Sequence, residues 1–254
     1  MGKVISVSNQ KGGVGKTTSV VNIAAALGKK GKKVLVVDVD PQGNTTSGFG
    51  INKKGLDKTS YDLFLGEARI ADTIIKTNFK NIDVVPSSIE LAAAEIDLAT
   101  EDSRLSRIRN ALATVKDNYD FIFIDCPPSL GIITLNALAG ADSVLMPIQC
   151  EYFALEGLSQ LMDTVRRVKK TSNPKIEIEG VLLTMYDGRL NLTLQVADDV
   201  KRYFKDFVFK TVIPRNVRLS EAPSFGQPAV YFDPSSRGAA AYTELAEEII
   251  KNNR

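Results

Sequence analysis

A glycine-rich stretch near the start of the chain carries the residue types that bind phosphate. It follows an apolar run over residues 4–7 and precedes a helix predicted over residues 16–27. The stretch consists of Lys11, Gly12, Gly13, Val14, Gly15, Lys16, Thr17 and Thr18. Glycines let successive backbone N–H groups point at phosphate oxygens, and the helix N-terminus adds a partial positive charge. The pattern predicts a phosphate cradle in which the Lys16 ammonium reaches the β- and γ-phosphates and the Thr17 hydroxyl binds Mg²⁺.

The loop departs from the common P-loop pattern at one position. Gln10 stands where G-x-x-x-x-G-K-S/T has its first glycine, and a second lysine, Lys11, follows it. This variant resembles the deviant Walker A motif of the ParA/MinD group of P-loop ATPases. In that group the early lysine reaches across a dimer interface, so the resemblance implies an ATP-dependent homodimer in which Lys11 contacts the partner's nucleotide. A lysine supplied in this way neutralises charge on the transferred phosphoryl group, as an arginine finger does.

Three aspartates close two apolar runs and are candidates for water activation and metal binding. Asp38 and Asp40 follow the run over residues 33–37, and Asp125 closes the run over residues 121–124 in the Walker B form. The resemblance implies that Asp40 positions the attacking water and that Asp38 supports either the Mg²⁺ shell or the loop. We expect Asp125 to bind Mg²⁺ through water. An Asx turn without a chemical role is the alternative for Asp38 and Asp40.

The composition excludes several other chemistries. The 254 residues include no histidine and only two cysteines, so a Ser-His-Asp site, a Cys-His site and a histidine zinc site are ruled out. Hydrophobic residues make up 44% and charged residues 24%, which is typical of a globular protein with a sizeable core. The formal net charge is only +2, so a nucleic-acid partner would need a local basic patch. Cys126 and Cys150 lack CxxC spacing and are interpreted as free buried thiols.

Short apolar runs alternate with helical patterns along the chain, and these elements must position the candidate residues. The alternation predicts an α/β fold, with a mainly parallel twisted sheet and helices on both faces, in one domain over residues 1–254. Strands are predicted over residues 4–7, 33–37, 82–85, 121–124, 143–147, 178–184 and 207–213. Helices are predicted over residues 16–27, 105–115, 155–168 and 190–204. Ligands bind at the carboxyl ends of strands in such sheets, where the loop and the aspartates stand.

Further segments extend the resemblance over essentially the whole chain. Residues 149–158, 211–224 and 233–239 make it similar to the chromosomal ParA ATPases of the Soj type. The resemblance implies a P-loop NTPase that uses ATP and Mg²⁺, binds double-stranded DNA without sequence specificity as a dimer, and is released when a ParB-type protein stimulates hydrolysis. It also implies that Pro214 and Asn216 contact the adenine, with a purely structural turn as the alternative.

A local excess of basic residues supports the DNA contact. Between Asp187 and Arg218 there are seven basic and four acidic residues. The main candidates are Arg189 and Arg218, and the lesser ones are Lys201, Arg202 and Lys205. Phosphate contacts of this kind give sequence-independent affinity that depends strongly on salt. Solvated surface charge is the alternative interpretation.

The main rival is a MinD-like membrane-associated ATPase, which would carry a basic amphipathic helix at its C-terminus. In this chain the C-terminal segment has an apolar stripe that is expected to face the core. The stripe consists of Tyr242, Leu245, Ala246 and Ile249. Glutamates on the outer face, including Glu244 and Glu247, have the wrong sign for anionic lipid. A cluster carrier would need bridging cysteines, and a metabolic ligase would need a substrate pocket that the sequence does not reveal. With no signal-peptide pattern present, we predict a cytoplasmic, nucleoid-associated partitioning ATPase without a membrane partner.

Overall fold

Seven strands form the central sheet of the structure, a computed structural model that describes residues 2–99 and 104–253. They are β1 (Lys3–Val7), β2 (Val34–Asp38), β3 (Ile75–Lys76), β4 (Ile82–Val85), β5 (Phe121–Asp125), β6 (Ser143–Gln149) and β7 (Glu177–Thr184). Their order is β3-β4-β2-β5-β1-β6-β7. All pairings are parallel except that of β3 with β4. The candidate residues at the ends of β1, β2 and β5 therefore meet at one edge of the sheet.

Helices of very different length connect the strands. They are α1 (Lys16–Lys29), α2 (Asn44–Gly48), α3 (Ser60–Leu65), α4 (Ile70–Thr73), α5 (Ala94–Asp97), α6 (Arg107–Ala113), α7 (Ile132–Gly140), α8 (Ala154–Thr171), α9 (Asn191–Phe204), α10 (Val217–Glu221), α11 (Ala229–Phe232) and α12 (Arg237–Asn252). Single 3-10 turns lie over Ile89–Ala93, Lys116–Asn118, Lys205–Phe207 and Ala222–Phe225. The four predicted helices are confirmed, with their ends shifted by a few residues.

Alternate residues of the central strands enter cores on opposite faces of the sheet. On β5, Phe123 packs with α1 and α12, whereas Ile122 and Ile124 pack with α3, α6 and α7. A third core lies between β6, β7, α8 and α9. Cys126 and Cys150 are free and buried in these cores, as predicted. The predicted mainly parallel sheet with helices on both faces is confirmed.

The strand predicted over residues 207–213 is wrong. One isolated bridge, between Val181 and Val208, joins this segment to β7, and the N–H groups of Phe209 and Ile213 donate to the carbonyl oxygens of Val181 and Leu183 at 3.0 and 2.8 Å. The N–H groups of Lys210 and Thr211 donate instead to the Glu248 carboxylate of α12, at 2.8 and 3.1 Å. Because α12 takes these backbone donors, the hydrogen-bond ladder of an eighth strand does not form.

Candidate nucleotide-binding site

The loop between β1 and α1 has the backbone conformation that a phosphate cradle needs. Gly13 and Gly15 have φ angles of +74° and +89°, in the left-handed region that favours glycine. Gly15 is the N-cap of α1, and no side chain caps that helix. The N–H groups of the first turn of α1 are therefore left for an anion.

The loop forms one wall of a cleft of about 520 Å³, a size typical of small-molecule sites. The cleft brings together nine predicted site residues: Gly12, Gly13, Gly15, Lys16, Thr17, Thr18, Asp40, Pro214 and Asn216. The oxygen of the Asn216 side chain accepts from the N–H of Arg218 at 3.1 Å and caps α10, so the amide NH₂ of Asn216 remains as a donor. Pro214 and Asn216, the predicted adenine contacts, thus line the same cleft as the predicted phosphate loop.

Sequence reasoning missed several residues of the cleft wall. Gln42 and Asn44 stand in the same run as Asp40 and were within reach of that pattern. Thr184 ends β7 and Met185 follows it, at the carboxyl end of the strand, where the general rule for such sheets places ligand contacts. Pro223 also lines the cleft, and no signal in the sequence marks it.

Lys16 is held beneath the loop that carries it. Its side chain is 6% exposed, and its ammonium donates to the carbonyl oxygen of Lys11 at 3.0 Å. Burial lowers the pKa of Lys16, while the charges of Asp125 and Asp40 act in the opposite direction. A fixed, partly desolvated ammonium of this kind interacts strongly with an anionic ligand.

Two other loop residues do not line the cleft. Val14 is buried, and its carbonyl oxygen accepts from the Thr184 hydroxyl at 2.8 Å. Lys11 lies outside the cleft wall, and its ammonium pairs with the Glu151 carboxylate at 2.5 Å. Both side chains of this pair are partly exposed. The first lysine of the loop is therefore directed to the surface rather than to its own cleft.

Asp125 and Asp40 occupy different environments near the cleft. Asp125 is fully buried and is not part of the cleft wall, and its Oδ2 accepts from the hydroxyls of Thr17 and Thr45, each at 2.7 Å. Its Oδ1 is buried and has no hydrogen-bond partner among the described residues. Burial raises the pKa of Asp125. Asp40 lines the cleft, and its Oδ1 accepts from the N–H of Gln42 at 2.9 Å.

Asp38 lies away from the cleft wall and holds the loop that follows β2. Its Oδ2 accepts from the N–H and the hydroxyl of Thr46 at 2.8 and 2.7 Å, and its Oδ1 accepts from the N–H of Asp40 at 3.2 Å. Burial raises the pKa of this carboxyl, and the neighbouring Asp125 adds to the effect. Because both oxygens are engaged, the geometry favours the loop-supporting role of Asp38 over the predicted role in the Mg²⁺ shell.

The arrangement around Asp125 fits a magnesium ion bound mainly by its substrate. Within residues 2–99 and 104–253 no three histidine, cysteine or acidic side chains cluster as a metal site. Mg²⁺ usually keeps several waters and binds one or two protein groups together with phosphate oxygens. The Thr17 hydroxyl and the unpartnered Oδ1 of Asp125 match that requirement.

The five predicted DNA contacts are all exposed. Arg189 makes a bidentate ion pair with Asp187 at 2.8 and 2.7 Å, which lowers the pKa of Asp187 to about 2. Arg218 pairs with Glu221 at 2.8 Å and with Asp233 at 3.2 Å. The lesser candidates Lys201, Arg202 and Lys205 lie at the C-terminal end of α9 or directly after it. At both main positions a DNA phosphate would have to compete with an acidic side chain of the same chain.

The apolar stripe of α12 faces the core, as predicted. Tyr242, Leu245, Ala246 and Ile249 are at most 1% exposed and pack with α1. In the described part of the chain, no helix combines the length and the apolar character needed to cross a bilayer.

Sequence comparison decides the family. A family model described as an AAA domain matches residues 2–178. The chain is 58% identical to the sporulation initiation inhibitor protein Soj of Bacillus subtilis, over 99% of this chain and 100% of that protein. The chain belongs to the ParA/Soj family of partitioning ATPases. It is also 49% identical to the chromosome partitioning protein ParA of Myxococcus xanthus, over 100% of this chain and 89% of that protein.

Solved structures support the same assignment. A cobyrinic acid a,c-diamide synthase of Mycobacterium smegmatis, with bound ADP and magnesium, has a TM-score of 0.87 and 35% identity, over 100% of this chain and 97% of that one. The cell division ATPase MinD of Pyrococcus furiosus has a TM-score of 0.81 and 33% identity, over 99% of both chains. The predicted family, P-loop fold and ATPase class are confirmed, and the ligands of the first structure agree with the predicted ATP and Mg²⁺. Membership of the ParA/Soj family rests on the higher identities to the partitioning proteins.

Proposed function

We propose that this ParA/Soj chain forms a homodimer when it binds ATP and Mg²⁺, and that the dimer binds double-stranded DNA without sequence preference. Stimulation of hydrolysis by a ParB-type protein then releases it. The observation that carries this proposal is the position of Lys11. Its ammonium lies outside the cleft of its own chain and pairs with the partly exposed Glu151. From there it can exchange Glu151 for a phosphate held by a second chain.

Gly12 supports a dimer face at the same place. It is exposed, and a Cβ added to it would meet nothing nearer than the Cβ of Pro128 at 4.0 Å. Its φ angle is not in the left-handed region. Neither the backbone conformation nor the packing of one chain requires a glycine here. Close approach of a second loop would require one.

The residues of the cleft, together with the buried Asp125 that contacts Thr17, divide the work of phosphoryl transfer to water. Lys16 binds the phosphates, and Thr17 and Asp125 would hold Mg²⁺, which neutralises charge on the β- and γ-phosphates. Asp40, fixed by its bond to the N–H of Gln42, orients the attacking water at the cleft wall. Lys11 of the second chain completes the charge around the transferred group. Hydrolysis by a single chain is therefore slow.

Dimerisation explains how ATP controls DNA binding in a protein of small net charge. Each chain contributes the basic positions around α9 and α10, so a dimer doubles the number of phosphate contacts. The logarithm of the affinity falls with the logarithm of the salt concentration in proportion to that number. A dimer thus binds at salt concentrations at which a monomer is released.

The MinD-like membrane alternative has less support. A membrane-binding C-terminal helix needs a free apolar face, whereas α12 buries its apolar stripe against α1. The exposed side of α12 carries Glu244 and Glu247, which would be repelled by anionic lipid.

DNA binding in different nucleotide states tests the proposal. We expect binding to several unrelated duplexes with ATP and Mg²⁺, and little binding with ADP or without nucleotide. Vesicles containing anionic lipid serve as the comparison. Binding to vesicles but not to DNA in the ATP state would contradict the proposal and favour the membrane alternative.

Replacing Gly12 by valine tests the dimer face. Gly12 lines the cleft, but a Cβ there has room within one chain, so we expect ATP binding to persist. The valine side chain would clash with a facing loop, so ATP-dependent dimers should be lost in analytical ultracentrifugation. Gly55→Val is the control for a surface substitution, because Gly55 is also exposed and has open space around it. Gly55 has a φ of +77°, which disfavours valine, so the melting temperature of this variant is measured as well. ATP-dependent dimers of Gly12→Val with wild-type affinity would place the interface elsewhere.

Replacing Arg189 by glutamate tests the DNA surface. We expect weaker binding to all sequences, and a salt dependence reduced by about two contacts per dimer, one from each chain. Arg69→Glu is a matched control, because Arg69 is similarly exposed and makes the same bidentate pair with Asp72. Equal affinity and salt dependence in the two variants would remove Arg189 from the DNA contact.

A further inference from the structure

The first turn of α2 binds two buried carboxylates through consecutive threonines. The Thr45 hydroxyl donates to Oδ2 of Asp125 at 2.7 Å. The Thr46 hydroxyl donates to Oδ2 of Asp38 at 2.7 Å, and its own oxygen accepts from the N–H of Ser87 at 3.0 Å. Neither contact follows from the sequence pattern: Thr45 and Asp125 are 80 residues apart, and the contact between Thr46 and Asp38 depends on how the chain turns after β2.

The two carboxylates end neighbouring strands. Asp38 is the last residue of β2 and Asp125 the last of β5, and they lie directly opposite in the parallel register. Both carboxylates and both threonines are fully buried. A buried carboxylate that loses a hydrogen-bond donor is destabilised, so these contacts fix α2 against the ends of the two strands.

The start of α2 also fixes the loop that carries Asp40. The N–H of Asp40 donates to Oδ1 of Asp38, and the carbonyl oxygen of Asp40 accepts from the N–H of Gly43 at 2.8 Å. Gly43 is the N-cap of α2. The position of Asp40 in the cleft is therefore coupled to the anchoring of α2.

Thr45 shares one oxygen of Asp125 with the loop residue Thr17. Both hydroxyls donate to Oδ2 at 2.7 Å, while Oδ1 has no partner in the described residues. With two donors on one oxygen, the carboxylate is held in a single orientation. The other oxygen is also buried, and in the proposed site it would accept from a water of the magnesium shell.

We propose that Thr45 is a positioning residue for the magnesium site. It orients the Asp125 carboxylate and connects that carboxylate, through α2, to the loop carrying Asp40. This inference rests on the proposed magnesium and ATP site at Thr17 and Asp125. Thr45 itself is fully buried and is not part of the cleft wall.

The test compares Thr45→Val, which removes the hydroxyl at similar volume, with Thr45→Ser, which keeps it. For Thr45→Val we expect unchanged binding of a fluorescent ATP analogue without Mg²⁺. The Mg²⁺ concentration that gives half of the full Mg²⁺ effect on analogue binding should rise about tenfold. A tenfold weaker Mg²⁺ affinity is the size of effect expected when one hydrogen bond to a charged group is lost. The kcat of the ATPase should fall about tenfold, with KM for ATP within about twofold. Thr45→Ser should restore both quantities to near wild type.

Thr73→Val is the matched control for loss of a buried threonine hydroxyl. Thr73 is buried, and its hydroxyl donates to the carbonyl oxygen of Ile70 at 2.8 Å, in a different part of the fold. Wild-type Mg²⁺ dependence and kcat in Thr45→Val would overturn the inference. Clearly impaired Mg²⁺ dependence in Thr45→Ser would also overturn it, because the serine keeps the hydroxyl and lacks only the methyl group. This second outcome can be measured even if the valine variant does not fold. Absence of Mg²⁺-dependent nucleotide binding in the wild type would instead refute the proposed metal site.

Discussion

Replacing Lys16 by alanine is expected to abolish ATP-dependent dimers and to weaken ATP binding at least about 30-fold. The substitution removes the buried ammonium beneath the loop, and hydrogen bonds between charged groups are among the strongest in a site. We expect the dimer to be lost as well, because in the proposed dimer Lys11 of the second chain contacts a γ-phosphate that Lys16 would no longer hold in place. Calorimetric titration with ATP and analytical ultracentrifugation measure the two effects.

Lys170→Ala is the matched control for this substitution. Lys170 lies near the end of α8 and is exposed, so the same change of charge and size should leave ATP binding and dimerisation unaltered. If Lys16→Ala dimerised with ATP as the wild type does, the phosphate-binding role of Lys16 would have to be abandoned.

Replacing Asp40 by alanine should separate binding from turnover. We expect ATP binding, dimerisation and DNA binding to persist while kcat falls at least about 100-fold, the range typical of a lost acid or base group. Within the described residues the carboxylate of Asp40 makes one hydrogen bond, to the N–H of Gln42, so its loss should leave the cleft intact. A steady-state phosphate-release assay, together with DNA binding in ATP, gives both readouts.

Two further variants make the Asp40 experiment decisive. Asp40→Asn keeps an oxygen for the N–H of Gln42 and removes only the charge, so it should be as slow as the alanine variant. Asp57→Ala removes an exposed carboxylate elsewhere and should keep wild-type turnover. Normal turnover in Asp40→Asn would assign the water-positioning role to another group.

The sequence predicted most of the sheet because parallel strands buried on both faces are continuous apolar runs. It failed where tertiary contacts replace strand pairing. Residues 207–213 have the composition of a strand, but Glu248 accepts from their backbone N–H groups. β3 was missed because a strand of two residues, Ile75–Lys76, has no detectable periodicity.

The phosphate loop was predictable from local spacing, and its supports were not. Asp38 and Asp40 are equivalent in the sequence pattern, yet β2 ends at Asp38 and the chain then turns. One carboxylate is thereby buried against Thr46, and the other lines the cleft. The Glu151 partner of Lys11 and the Thr45 partner of Asp125 depend on contacts between distant segments, which a single sequence does not reveal.

The contact between Glu248 and the segment after α9 also limits how two molecules can associate. An exposed strand edge is a site for pairing with other chains, and natural proteins avoid this with short edge strands or covering segments. Here residues 208–214 cover the outer side of β7, and the opposite edge strand β3 has only two residues. Both edges of the sheet thus carry features that disfavour pairing from one molecule into the next. The dimer proposed above would then form through a different face, at the loop bearing Lys11.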